Sequence, residues 1–380
     1  MFLGLRELRF ARGRFTLMGV VIALVAVLVV LLSGLSAGLV NDGVSGLKAM
    51  RVMSFAFDKG TITDNAFTRS VVDDEQLATW SAAPGVRAAE PLGVSIVNGT
   101  TDAGRQVDLT LFGVEPDGFL SPAVSSGARS AGPGEIVVSQ TAASAGLALG
   151  TKVTLDRSGV ELTVVGFTAA QATFGHVDVA YLPIDTWRLI ASGSAQAGAP
   201  TPQQIGALHY PYSSVIAVQA GDDATLDTAR TDTAAGTMSM TRTEAFNASP
   251  GYQAETMTLT MIRAFLYAIC ALVVGAFFTV WTIQRTHEIA VLRAVGASTS
   301  YLLRDGLAQS LVLLLGFTVL GVAAGVGMGA LMPDGMPFSL EPVPVALASI
   351  VTVVLGLGGA GVAILRVTRV EPVTALGGHR

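Results

Sequence analysis

Arg285-Thr-His-Glu-Ile-Ala-Val-Leu-Arg-Ala-Val-Gly-Ala-Ser298 is a short charged segment set between two long apolar ones. Ile289, Leu292 and Val295, with Leu303 beyond them, recur at helical spacing and make an apolar stripe. Arg285, His287, Glu288 and Arg293 fill the other faces. Gly296 is a natural helix stop, and Ser298 or Thr299 can cap the helix that follows. A plain connector lying on the inner membrane surface would carry cations of this kind. A charged amphipathic helix is equally suited to lie in a groove of another protein.

The rest of the chain is built for a membrane. It is 51% hydrophobic and only 13% charged, with mean hydropathy +0.58. Residues 15–40, 264–284, 306–333 and 342–365 lack any charged side chain, and each run reaches the roughly 20 residues that cross a hydrocarbon core. Four transmembrane helices are expected. The first run is too long for a signal-peptide core of about 7–15 residues. Before it, leucines and phenylalanines alternate with Arg6, Arg9 and Arg12, as in a helix lying in the interface.

The cations set the orientation. Arg6, Arg9, Arg12 and Arg14 precede the first run, Arg285, Arg293 and Arg304 lie between the second and third, and Arg366, Arg369 and Arg380 follow the fourth. Only Glu7, Glu288, Asp305 and Glu371 oppose them. Both termini and the middle loop are therefore expected in the cytoplasm, with 41–255 and the turn 334–341 outside. Residues 41–255 carry 12 Lys+Arg against 22 Asp+Glu, a balance that disfavours nucleic acid as a ligand. The single cysteine, Cys270, lies in the second run, so the outer segment folds without disulfides.

That outer segment alternates like a sheet. Residues 86–97 and 106–114 read as paired strands, and 135–139, 152–155, 160–168 and 177–182 as further ones. Residues 44–57 can continue the first helix outward, with Met50, Met53 and Phe57 on one face. The Gly/Ser-rich stretch 121–134 and the small-residue stretch 191–202 act as separators. A strand at 214–219, a helix at 222–235 and a strand at 237–241 form a βαβ-like return, and 252–284 is one helix running into the membrane.

The 285–298 segment resembles the intracellular loop of FtsX/MacB-like permeases, which runs Arg-x-x-Glu-Ile-Ala/Gly-Val/Ile-Leu-Arg/Lys-Ala-Ile/Val/Leu-Gly-Ala. Gly134-Glu-Ile-Val-Val138, Ala148-Leu-Gly-Thr-Lys-Val153 and Leu162-Thr-Val-Val-Gly-Phe167 resemble the small β-rich subdomain of the same family, as does Arg369-Val-Glu-Pro-Val-Thr-Ala-Leu376 its C-terminal end. Met1-Phe-Leu-Gly-Leu-Arg-Glu-Leu-Arg9 and Leu32-Ser-Gly-Leu-Ser-Ala-Gly-Leu39 are similar to its haem-exporter branch.

The resemblance implies an α-helical membrane protein with four transmembrane helices plus an α+β extracytoplasmic domain. Its divisions are an interfacial helix (1–14), spans at 15–40, 256–284, 306–333 and 342–365, and an outer domain at 41–255. The outer domain divides into porter-like parts (41–120 and 203–255) and a β-rich part (121–202); the coupling loop is 285–305, the outer turn 334–341 and the tail 366–380. The resemblance further implies a non-catalytic subunit of an ATP-driven exporter in the bacterial cytoplasmic membrane, a homodimer among lipids with two copies of a cognate ABC ATPase. Arg285, Glu288, Ile289, Leu292, Arg293 and Gly296 would make or support the ATPase contact. ATP would sit on the partner, with no cofactor held permanently here. Haem is the expected substrate; a signalling transducer of the FtsX type, or an exporter of another amphipathic lipid, peptide or antibiotic, is the alternative.

A haem site needs an apolar slot and soft donors. The outer ends of the first two helices offer Asp42, Met50 and Met53 on one side and Met257, Met261 and Arg263 on the other. Such methionines also serve as gap-filling core, Asp42 as a helix-boundary cap, and Arg263 as a snorkelling cation. Other motifs are better read as packing. Gly34-Leu-Ser-Ala-Gly38 has the spacing of a nucleophile elbow, and Gly356-Leu-Gly-Gly-Ala-Gly361 that of a dinucleotide loop. Both fall inside membrane runs, where small residues bring helices close. Gly321, Gly325 and Gly329 repeat the pattern. The sequence has no Gly-x-x-x-x-Gly-Lys-Ser/Thr for ATP phosphates, and His176, His209, His287 and His379 have no metal-ligand spacing.

Overall fold

The computed structural model describes residues 12–221, 226–284, 291, 295–333 and 336–368. Among these, the helices of eight or more residues are α1 (Arg12–Ala49), α2 (Asp74–Ser81), α3 (Ile184–Ala191), α4 (Thr228–Ala235), α5 (Tyr252–Gln284), α6 (Thr299–Gly329) and α7 (Pro342–Thr368). Two compact units result: Met1–Gly38 with Thr256–Arg380, and Leu39–Glu255. Four helices are long and apolar enough to cross a membrane, over Thr16–Ala49, Tyr252–Gln284, Ser300–Gly329 and Pro342–Leu365.

The helical unit packs through small residues. A Cβ on Gly321 would lie 2.3 Å from the Ala23 carbonyl oxygen, and one on Gly325 2.9 Å from Val30, so α6 meets α1 almost backbone to backbone. On Gly359 it would lie 2.4 Å from the Ala271 carbonyl oxygen, which brings α7 equally close to α5. The Gly34–Gly38 pair seats the segment after α6: Gly38 faces the Pro337 carbonyl, Gly34 faces the Phe338 ring, and Ser339 N–H donates to Gly34 O at 3.0 Å. Both glycine patterns are thus packing surfaces.

The second unit is built on strands β1 (Ser54–Asp58), β2 (Val72–Asp73), β3 (Val86–Thr101), β4 (Gln106–Val114), β5 (Val124–Gly127), β6 (Glu135–Val138), β7 (Lys152–Leu155), β8 (Glu161–Thr168), β9 (Thr173–Phe174), β10 (Val177–Pro183), β11 (Tyr212–Ser213), β12 (Val215–Ala220) and β13 (Thr237–Thr241). Its main sheet runs β13-β1-β12-β3-β4-β10-β6-β8-β5, with β7 and β9 attached beside it. The β12–α4–β13 return is a split one: β1 lies between its two strands and is antiparallel to both. The parts on either side of residue 121 share one sheet, because β10 pairs parallel with β4.

Alternation assigns the two faces. Phe55, Phe57, Ala217, Phe112, Val179, Tyr181 and Val137 belong to one core. Their neighbours Ala56, Ile216 and Val218 belong to a second, and Leu111, Ala180, Leu182, Ile136 and Val138 to a third. A sheet covered on both faces explains why its strands read as nearly unbroken apolar runs. Trp80 of α2 and Trp187 of α3 cover the far faces, their indole N–H groups donating to Thr237 Oγ1 (2.9 Å) and Ser95 Oγ (3.0 Å).

Two expectations are corrected. The first helix does not continue to Phe57: it ends at Ala49, and Ser54–Asp58 is the strand β1. Phe55 and Phe57 enter one core only when the chain is extended, since positions two apart then share a face. The Gly/Ser-rich separator contains β5, which pairs antiparallel with β8 and continues the sheet.

Candidate functional site

α1 is broken inside its last turns. Val44 has φ −143° and ψ 16°, outside the helical range. The cause is local: the Gly43 carbonyl accepts from Gly175 N–H at 2.9 Å and from Ser249 Oγ at 3.3 Å rather than only from its own helix. Gly46 permits the approach, since a Cβ there would be 3.1 Å from Thr173 O. The buried hydroxyls of Ser45 and Thr173 lie 2.7 Å apart, and Thr173 N–H donates to Ser45 Oγ at 2.8 Å.

A polar cluster caps this junction. Asn41 donates to Gln171 at 3.2 Å, and Gln171 donates to Asp42 at 3.0 Å. His176 Nδ1 lies 3.0 Å from Asp42 Oδ2, and its Nε2 lies 3.1 Å from Glu255 Oε2 in the first turn of α5. Burial pushes the neighbouring Asp178 carboxyl above the usual carboxylate range, against bonds from Thr141 and Ser139; the charge of Asp42 raises it further. His176 and Gln171 are absent from the sequence-level candidates. The available signal is Gly175-His176 between Ala172-Thr-Phe174 and Val177-Asp-Val179, a two-residue turn between short β-prone runs.

The candidate substrate residues divide. Asp42 is committed to Gln171 and His176. Met50 is buried in the core with Phe55 and Phe67. The Met53 backbone bridges β12 and the end of β13, donating to Val218 O and accepting from Arg242 N–H, with its side chain at the surface. These three occupy three different environments within the α/β unit. In the helical unit, Met257 and Met261 are one turn apart on α5, share a face, and are 72% and 53% exposed. Arg263 stands two residues on, about 200° further round. Its Nε is buried with no hydrogen-bond partner among the described residues.

Of the coupling residues, Arg285, Glu288, Ile289, Leu292 and Arg293 lie outside the described residues. Gly296 has φ 108°, a value suited to glycine, and follows Val295, whose N–H donates to Val291 O. Ser298 caps α6 by accepting from Tyr301 N–H at 3.2 Å. Val291 and Val295, four residues apart on one face, are 47% and 84% exposed.

Apolar spans, an α/β domain inserted after the first, and exposed Val291 and Val295 between the second and third describe a membrane permease. Family models agree along nearly the whole length: residues 15–235 match the MacB-like periplasmic core domain and residues 260–372 the FtsX-like permease C-terminal domain. The chain belongs to the FtsX/MacB-like family of ABC transporter permeases. Such permeases are generally non-catalytic and work with an ABC ATPase. Among its relatives are proteins named as hemin transport system permease HrtB, from Staphylococcus epidermidis (23% identical over 375 residues, 98% of each chain) and Staphylococcus haemolyticus (24% over 379, 98% of each). An ABC transporter permease of Mycobacterium tuberculosis is 25% identical over 382 residues, covering 100% of this chain and 99% of its own. The periplasmic region of MacB from Actinobacillus actinomycetemcomitans aligns with 52% of this chain and 92% of that one, at 14% identity and TM-score 0.37.

Proposed function

We propose that the chain is the permease of an ABC exporter that extrudes haem and works by mechanotransmission. Two copies pair about a twofold axis, and each presents one 285–298 helix to one of two separate ATPase subunits. The observation that carries the coupling is the exposed apolar face of Val291 and Val295, held between the ends of α5 and α6 by the Gly296 stop and the Ser298 cap. Closure of the ATPase pair pushes these helices, and the movement runs along α5 into the α/β domain. The cation asymmetry puts 41–255 outside and both termini inside.

The substrate reading is supported by the relatives named for hemin transport along their full length. It draws also on the exposed face of Met257 and Met261, which a twofold axis presents twice. Arg263, about 200° round α5 from Met261 and with its buried Nε unpartnered among the described residues, would take a propionate from another side of that helix than the methionine face. Haem enters laterally from the outer leaflet and need not cross an inward-open cavity.

Three measurements test this. Glu288→Lys and Leu292→Asp abolish transport-coupled ATP hydrolysis while the permease still inserts; retention of full coupling by both removes the docking role. A cysteine at Ser126 reacts with an impermeant thiol reagent in whole cells and one at Ser298 does not, above the low background of buried Cys270; the opposite pattern reverses the orientation. Haem titration of the purified permease gives an absorbance band that shifts or fades in Met257→Ala, Met261→Ala or Arg263→Ala. No band in the parent protein favours the FtsX-type transducer.

A further inference from the structure

The β9–β10 hairpin turns through Gly175 and His176, both with positive φ, 60° and 64°. This is the pattern of a type I′ turn. Glycine adopts it freely, whereas a histidine there is strained, and strained positions point to a use for the side chain. The turn fixes the His176 ring between Asp42 of α1 and Glu255 of α5, at 3.0 and 3.1 Å. A neutral imidazole has one N–H, so it donates to one carboxylate and turns a lone pair toward the other. A doubly protonated ring donates to both.

We propose that His176 is a proton-controlled tie between the ends of α1 and α5 that belong to the α/β domain. With two ring protons it fastens both helix ends to the β9–β10 turn; with one, a single arm opens. Tyr252, on the same turn of α5 as Glu255 and kept neutral by burial, is a further titratable group beside it; among the described residues the charged groups facing it are Asp42 from α1, Glu255 from α5 and, through Asp42, Asp178 from β10. All three are carboxyl groups, and Gln171 is the neutral group bonded to Asp42. The α1 arm is backed by the Gly43–Gly175 and Ser45–Thr173 bonds, so a lost proton is felt at the α5 arm. The tie rests on the exporter reading, in which α5 carries movement into this domain, and it makes that step sensitive to acidity on the domain's side of the membrane.

The test is hydrogen exchange of residues 171–178 and 252–255 in the full chain in nanodiscs, corrected for intrinsic rates, from pH 5 to pH 8. Protection in the parent protein falls about threefold as pH rises, the scale of one half-exposed ion pair. His176→Asn, which tolerates the left-handed turn but does not titrate, removes the step. His176→Gly relieves the strain and shows the high-pH level at every pH. Glu255→Gln flattens the step by removing the α5 arm. Constant protection in the parent, or an unchanged step in His176→Asn, overturns the tie. If Glu288→Lys leaves ATPase coupling intact, the exporter reading falls while the exchange step still decides the tie.

Discussion

The two units are held together in opposite ways. In the helical unit the tightest approaches are at glycines: Gly321 against Ala23 and Gly359 against Ala271. In the α/β unit the tightest cluster is aromatic. The Phe67 ring stands edge-on to Phe55, Phe57 and Phe174, with centroids 5.1–5.4 Å apart, and Phe174 continues to Phe112 and Tyr181. Surroundings explain the difference. Between helices in lipid, burying a large apolar side chain gains little over leaving it among acyl chains, so contact is won by bringing backbones close. In water the same burial is the main driving force, and large rings supply most of it.

Phe67→Ala is the strongest way to break this comparison. It should destabilise the α/β unit by about 3–5 kcal/mol, read as earlier loss of exchange protection in β1 and β10 while the helical unit stays protected. Matching loss in both units would mean that they unfold as one. Gly321→Ala comes next, at about 1–3 kcal/mol, because its methyl meets backbone that cannot yield. Gly316→Ala on the same helix meets nothing within 4 Å and should be neutral or slightly stabilising. Equal effects of the two on thermal inactivation would remove the argument from close packing.

The smallest effect sharpens the picture of the α/β core through pH. Glu90 is half-buried and accepts from Phe119 N–H (2.8 Å) and Leu120 N–H (3.2 Å). Burial raises its pKa, outweighing those two bonds. The folded state therefore holds this proton more tightly than the unfolded one. Stability from this site is fully present below the ordinary carboxylate range and declines as pH rises through the raised value. Glu90→Gln should change stability by less than about 1 kcal/mol at pH 5 and flatten the decline toward pH 7. A decline of unchanged slope would assign it to Glu115, which burial and then the charge of Asp185 also raise.

The membrane helices were legible because an uncharged run of that length has few other uses. The paired strands β3 and β4 were legible from alternation. β1 was not: Ser-Phe-Ala-Phe-Asp follows a helix, and five residues cannot separate the two periods. β5 was hidden because Val-Ser-Ser-Gly pairs through its backbone rather than through its side chains. The start of α2 is marked in the sequence by the Asp73–Gln76 capping box. The Asp42–His176–Glu255 cluster joins positions more than 130 and nearly 80 residues apart, and no local pattern encodes such a meeting.

The place of β1 in its sheet has a consequence for how the chain is made. Phe55 pairs with Ala217 on one side and Met240 on the other, so the strand emerges about 160 residues before its first partner. Closing so long a loop is slow, and sheets with distant partners fold on the slow end of the range. Until β12 and β13 arrive, a short aromatic strand stands with both edges open, a template for pairing with another chain. Cells producing this protein at high rate would therefore lose it first at this segment, and a charged residue placed on β1 would trade final stability for a cleaner yield.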